Sequence, residues 1–360
     1  MNENAAKNAT VLKRLLKNKS AFFGLMIIAI ALFMAVFAYT LVPDSSPNAN
    51  RMIPEIANQK PNFSILFLRI KNQREVEPSS FFNFLLSGKE DNFQLIPIQS
   101  YIKNDSGFLV KKYIDEGIWQ SVFYPSNEVL TPSIIKQRFY LGTDKFGRDI
   151  LSRLIIGVRV SLAVGLIAVL ISLTVGVFLG AAAGYFGNRT DNFVMWLINV
   201  IWSIPTLLLV FAITILLGKG FWQVFVAVGL SLWVSVARLV RGQVLSIKKQ
   251  EYVEAARILG FSHTRIIIKH ILPNIVGPVM VIAAGNFASA IVMEAGLSFL
   301  GLGVQPPQPS WGLMIKENYN FIITNNPMLA LTPGIAIMLL VLAFNLLGNG
   351  LRDAMDVSEP

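Results

Sequence analysis

The chain has 360 residues, a length that would allow two or three soluble domains, but 54% of them are hydrophobic and only 14% charged. A soluble globule of that composition would have too little polar surface to cover itself, and the apolar residues fall in long runs, so a polytopic membrane protein is expected. The absence of cysteine excludes disulfides and thiolate chemistry, and the formal charge of +10 has to be judged by where the basic residues fall.

Residues 1–19 form a short basic tail with Lys7, Lys13, Arg14, Lys17 and Lys19. The apolar stretch 20–42 has about the 20 residues that cross a bilayer, and it exceeds the ~7–15-residue core of a cleaved signal peptide, so it reads as the first span. Residues 43–138 are different material: charges of both signs alternate with apolar patches such as Ile65–Leu68 and Phe81-Phe82, none long enough to cross. The many aromatics favour a small folded extracytoplasmic domain over an extended linker. Within it the signals are mixed, with Phe93–Pro97 and Gly107–Val110 reading as strands and Val110–Val122 as a helix. Residues 139–350 read as a core of five more spans, at about 160–186, 192–217, 221–240, 274–299 and 329–347, with a polar loop at 241–273. Gly184 and Gly187 bracket the turn after the second span, Pro205 interrupts the third, and Gly218–Gly220 turns the chain into the fourth. Residues 351–360 are a short C-terminal tail. The expected fold class is an all-α polytopic membrane protein with six transmembrane helices and an extracytoplasmic insert between the first two.

Orientation follows from the basic residues of the short loops. The N-terminal tail, Arg189, Arg238, Arg241, Lys248, Lys249, Arg257, Arg265 and Lys269 fall on one side, whereas the short loops of the other hold only Lys219 and Lys316. This bias predicts that both termini and the 241–273 loop face the cytoplasm. Basicity is then a matter of membrane topology, and nucleic acid is not expected as a partner.

The loop carries the most ordered polar pattern of the C-terminal half, EYVEAARILGFSHTRIIIKHILP from Glu251 to Pro273. Tyr252, Ala255, Ala256 and Leu259 recur at i, i+3, i+4 and i+7, the stripe of a helix. Gly260 stands where a helix stops, Ser262 where the next would be capped, and Pro273 where the unit would end. Two short helices joined at a glycine are expected, the first with a small-residue face that another protein can approach closely. An amphipathic helix lying on the membrane surface is the alternative.

The order Glu254-Ala255-Ala256, Gly260 and His270–Pro273 resembles the EAA loop of ABC importer permeases. LGTDKFGRDILSR from Leu141 and EAGLSFLGLGVQPPQPSWG from Glu294 are similar to segments of the dipeptide, oligopeptide and nickel permeases of that family. The resemblance covers the first span and about Leu141 to the C-terminus, and the 43–138 insert is where the chain departs from it. It implies a type I permease fold in the bacterial inner membrane. It also implies that the loop docks in a groove of a separate ATPase, with Tyr252, Glu254, Ala255, Ala256, Leu259, Gly260 and Pro273 as the coupling residues. The further partners implied are a second related permease in a heterodimeric core, an extracytoplasmic solute-binding protein and the lipid bilayer. Peptides are the substrate class of this branch, with nickel or another small solute as the alternative.

Other residues carry weaker signals. Gly142, Asp144, Gly147 and Asp149 suit a turn feeding an interfacial helix, with Arg148, Arg153 and Arg159 at headgroup level. The stiff Pro306–Pro309 run is expected to hold Trp311 at the membrane surface. Asn199, Ser203, Pro205 and Thr206 surround the break of the third span, and Asn286, Ser289 and Glu294 lie along the fifth, which marks them for a pathway or a subunit interface. Glu294 is expected near the outer end of its span, at the boundary with another subunit. His263 and His270 lack the company of a metal site, and no catalytic constellation or Walker pattern is present. The chain is therefore expected to be non-catalytic, without metal or cofactor, and ATP hydrolysis would belong to another chain. The alternative of a different class is an ion-coupled secondary transporter, which would carry its own ion site near the midplane.

Overall fold

The computed structural model describes residues 12–72, 80–115, 117–323 and 326–355, so Lys7 and the end of the C-terminal tail lie outside the described residues. In chain order the elements are α1 (Lys19–Val36), β1 (Phe63–Lys71), α2 (Phe81–Ser87), β2 (Phe93–Asn104), β3 (Gly107–Asp115), β4 (Ile118–Pro125) and β5 (Val129–Phe139). They continue with α3 (Ile150–Phe186), α4 (Asn188–Trp202), α5 (Thr206–Leu217), α6 (Phe221–Ile247), α7 (Glu251–Ile258), α8 (His263–Phe299), α9 (Trp311–Asn318) and α10 (Met328–Met355). Helices α1, α3, α6, α8 and α10 are each long and apolar enough to cross a membrane, and α4 with α5 make a sixth if the bent pair counts as one span. That pair turns through 92° at Ser203–Pro205. The third span is therefore not a continuous rod: Pro205 supplies no N–H and forces the preceding residue out of helical geometry. The chain divides into two compact units, Met1–Leu32 with Ser161–Gln305 and Ala336–Pro360, and Phe33–Val160 with Pro306–Ile335.

In the first unit α6 is the most enclosed of the apolar spans. Gly176, Gly180 and Gly184 recur every four residues, so they share one face of α3. That face lies against α6: a Cβ at Gly176 would stand 2.5 Å from the Val236 Cβ, and one at Gly184 2.8 Å from the Val244 Cβ. Where lipid removes the hydrophobic drive for helix association, such close backbone approach supplies the packing instead. Gly184 is thus a packing residue inside α3, not part of the turn, which Gly187 makes with φ +68°. α1 meets α10 at Gly24, which faces Ala343 and Leu346, and Asn18 Nδ2 donates to Asp353 Oδ2 at 3.2 Å. Phe287 of α8 stacks on Phe344 of α10 with ring centroids 3.9 Å apart.

The second unit contains a five-stranded antiparallel sheet of order β4-β3-β2-β1-β5. β4 and β5 stand at opposite ends of that order, yet only Ser126–Glu128 joins them. Four strand spacings would separate them by about 19 Å in a flat sheet, further than so short a link reaches, so the sheet curls. Ile65, Phe67, Leu95 and Phe139 line one face and pack with Ile53 and Ile56. Leu68, Ile96, Ile98, Phe108 and Val110 fill the other. The helix expected at Val110–Val122 is absent, because those residues belong to the β3–β4 hairpin, which turns at Gly117 with φ +79°. Phe108 and Val110 are buried on either side of exposed Leu109, the period of a strand, and pairing with β2 selects it.

Candidate functional site

α7 stops at Leu259, and Gly260 follows with φ +78°. The helix end is closed by Gly260 N–H donating to Arg257 O at 3.0 Å and Phe261 N–H to Ala256 O at 3.2 Å. Ser262 Oγ then accepts from Arg265 N–H at 3.4 Å and caps α8. No atom of the described residues stands within 4 Å of where a Gly260 Cβ would be, so among them glycine is required by its φ and not by crowding.

Val253 and Ala256, three residues apart, are buried among Ala181, Tyr185, Val244, Ile266 and Ile271. Ala256 therefore leaves the stripe in which the sequence places it. Tyr252, Glu254, Ala255, Leu259 and Gly260 remain exposed, and Ile258 joins them; Ile258 and Leu259 are 82% and 72% exposed. Pro273 does not end the unit. The π turn Ile267–Ile271 precedes it, and the widened turn removes the clash a proline makes with the carbonyl one turn back, so α8 runs on as a span. Asn274 Nδ2 donates to His270 O at 2.7 Å and to Tyr252 Oη at 3.1 Å, tying α7 to α8.

The loop is also fastened to the end of α3. Tyr185 Oη and His263 Nδ1 are 2.9 Å apart, and Lys248 Nζ donates to Tyr185 O at 2.5 Å. Arg241 pairs with Asp191, Nη2 to Oδ2 at 2.6 Å. His270 stacks on Phe261, and the Arg265 guanidinium lies 4.0 Å from the centre of the same ring. Both histidines thus serve the packing of the loop.

Of the residues marked in the spans, Asn199, Ser203, Pro205 and Thr206 are exposed around the bend between α4 and α5. Ser289 is half-buried and donates to Gly285 O at 3.0 Å. Asn286 is buried. Glu294 is fully buried within this one chain and accepts from Ser298 Oγ at 2.6 Å, while Ser298 Oγ accepts from Val304 N–H at 3.1 Å. Through Ser298, its carboxylate organises the end of α8 and the loop after it.

The second unit holds a constellation that the sequence reading misplaced. Arg148 and Arg153 are buried, not raised to headgroup level. Asp144 Oδ1 accepts from the backbone N–H groups of Phe146 and Arg148 at 2.9 and 3.0 Å, and its Oδ2 accepts from Arg148 Nε at 2.6 Å. Arg148 also donates to Glu317 Oε2 at 2.8 Å and Asn50 Oδ1 at 3.2 Å, and Arg153 lies 3.7 Å from Glu317. Asp44 is buried nearby in the chain's hydrogen bonding, accepting from Ser46 and Arg51 N–H while its own N–H donates to Ser152 Oγ. Burial pushes the Asp149 carboxyl above its ordinary range, although hydrogen bonds from Ser152 pull the other way. Trp311 is buried too, its Nε1 donating to Leu154 O at 2.9 Å and its ring filling the space that Gly157 leaves. The available signal was the packing of Asp144, Arg148, Asp149 and Arg153 into ten residues between apolar runs; Glu317 could not be linked to them by spacing.

Residues 176–357, half of the chain, match the family of binding-protein-dependent transport system inner membrane components. The chain belongs to that family. Residues 9–61 match the N-terminal TM domain of oligopeptide transport permease C, and residues 62–175 lie outside both matches. A glutathione transport system permease protein of Pectobacterium atrosepticum is 43% identical over 217 residues, 60% of this chain and 72% of that one. A dipeptide transport system permease protein of Alkalihalophilus pseudofirmus is 41% identical over 232 residues, 64% and 75% of the two chains. An oligopeptide transport system permease protein of Haemophilus influenzae is 41% identical over 220 residues, 61% and 70%. Among solved structures, one of inward-facing conformations of a methionine ABC transporter aligns with 57% of this chain and 98% of that chain, at TM-score 0.48 and 20% identity. The permease is a multi-pass membrane protein, and the family match includes the whole of α7 and the turn at Gly260.

Proposed function

We propose that this permease forms part of the translocation pathway of an ATP-driven peptide importer and is moved by a separate ATPase that grips α7. It works in the bacterial inner membrane with both termini and α7 in the cytoplasm, beside a second related permease. A solute-binding protein delivers peptides from the far side, and the chain itself hydrolyses nothing. The relatives named for dipeptide, oligopeptide and glutathione transport support a peptide as cargo.

The observation that carries the coupling role is the exposure of Ile258 and Leu259 on a helix whose opposite face is locked down by Val253 and Ala256. Burying a side chain of this size is worth about 1.5–3 kcal/mol, a gain that a docked partner would collect. Because Val253 and Ala256 share a core with residues of α3, α6 and α8, a push on α7 reaches three spans at once. Tyr185, Lys248 and His263 add hydrogen bonds to that connection. Glu254 on the exposed face offers a carboxylate to a basic rim, and Gly260 leaves open space for close approach.

The test is Gly260→Asp in the chain purified with its native partners. Membrane insertion is expected to remain intact while ATP-driven peptide uptake into proteoliposomes is lost. Normal uptake by that variant would overturn the docking role. Uptake driven by an ion gradient without ATP would overturn the importer itself.

A further inference from the structure

The insert carries a short helix whose apolar side chains find no cover among the described residues. In α2, Phe84 packs towards Tyr39 with ring centroids 6.4 Å apart. Phe81, Phe82 and Leu86 point away and are 66%, 75% and 70% exposed. The level of this helix is set by one side chain. Arg159 donates from Nε to Ala35 O at 2.5 Å and from Nη2 to Val36 O at 3.0 Å, the last carbonyls of α1. The same guanidinium donates to Leu85 O at 2.6 Å and Leu86 O at 2.9 Å, near the end of α2. Unpaired carbonyls and the negative end of the helix dipole make each helix C-terminus a natural seat for a cation, and Arg159 occupies two of them together. Its charge also lies 4.9 Å from the centre of the Tyr39 ring. Gly88, with φ +78°, turns the chain away at the end of α2, where an added Cβ would stand 2.6 Å from Ser45 O and 2.7 Å from the Tyr39 ring.

The geometry points to α2 as an interfacial anchor of the insert, with Phe81, Phe82 and Leu86 seated in the lipid leaflet at the C-terminal end of α1. α1 is long and apolar enough to cross a membrane, and the apolar stretch that contains it ends six residues later at Val42, so its terminal carbonyls lie close to the bilayer boundary. Arg159 fastens α2 at that same boundary, and exposed phenylalanine and leucine there meet acyl chains or nothing. In the orientation proposed above this is the outer leaflet. The consequence is that the β sheet is held down against the membrane at a second point besides its covalent links to α1 and α3.

The chain has no native cysteine, so a single Phe82→Cys variant, labelled with an environment-sensitive fluorophore, reports on this surface alone. It is read in nanodiscs containing the chain with its native partner subunits. Lipids carrying a nitroxide near the headgroup are expected to remove about half or more of its emission, while aqueous iodide has little effect. A label at Phe33→Cys on α1 serves as the positive control, and a failure there would sink the membrane reading itself and not only the anchor. A label at Ile118→Cys on β4 is expected to respond to iodide and not to lipid. Iodide quenching of the Phe82→Cys label without lipid quenching would overturn the anchor, and so would shielding that appears only when the solute-binding protein is added. In an Arg159→Met background, lipid quenching is expected to fall at Phe82→Cys and to persist at Phe33→Cys. Unchanged quenching at both sites would overturn the role given to Arg159.

Discussion

Two regions of this permease treat charge and apolar surface in opposite ways. Around Asp144, charged side chains are taken fully out of water, and they meet partners drawn from residues 44 to 317. On α7, apolar side chains are left exposed although a packed core lies directly beneath them. The first region is close to a finished piece of structure, in which Asp144 and Arg148 are hydrogen-bonded within the chain while Arg153 stands 4.0 Å from Asp144 and 3.7 Å from Glu317 without a hydrogen bond to either. The second is complete on one face only. A buried charge without a partner costs more than its chain can recover, so such groups must be satisfied internally; an exposed isoleucine costs little until a partner arrives. The two regions therefore differ in how much of their surface the chain itself covers.

The largest effect is expected where that internal satisfaction is broken. Arg148→Ala removes the guanidinium that bonds buried Asp144 to half-buried Glu317 and leaves only Arg153, 4.0 and 3.7 Å from them, which should cost towards the lower end of about 3–5 kcal/mol. Thermal unfolding in detergent would register it, and a variant as stable as the original would mean that water reaches this cluster freely. A smaller, pH-dependent effect belongs to Asp149. Its carboxyl is raised above the ordinary value of 3.8, so the folded chain binds that proton more tightly than the unfolded one. The stability it contributes is full below the unfolded value and is lost as pH rises through the folded value. Lowering the pH from neutral into that window should therefore stabilise the original chain more than Asp149→Asn, and parallel pH profiles would count against the assignment. The smallest effect on stability is expected at the other region. Ile258→Ser should change unfolding by no more than about 0.5 kcal/mol yet weaken retention of the ATPase during purification. A large loss of stability there would show that α7 is as finished as the Asp144 cluster and erase the contrast.

Much of the architecture was legible because membrane spans are a local property. An apolar run of sufficient length declares itself without knowledge of its neighbours, and the loop pattern at Glu251–Pro273 marked the helix, its glycine stop and its serine cap. Reading which face of α7 turns inward was harder, since Ala255 and Ala256 are chemically identical and only the packing of Val253 distinguishes them. The hairpin at Gly107–Pro125 hid for a related reason: its apolar residues fit either period until β2 supplies the hydrogen bonds. Gly176, Gly180 and Gly184 carried a spacing signal, but their partners on α6 lie about sixty residues on.

By itself, then, the amino-acid order determined where the long apolar runs lie, where the polar loop falls between them and which family's loop it resembles. Tertiary structure alone decided that Arg148, Arg153, Trp311 and Glu294 are interior. It also decided that Arg159 joins two helix ends and that Ala256 faces inward. The reason is distance along the chain. Arg148 meets Glu317 across 169 positions, Trp311 meets Leu154 across 157, and Arg159 meets Ala35 across 124. A charge looks like surface in the sequence until the fold brings its partner to it.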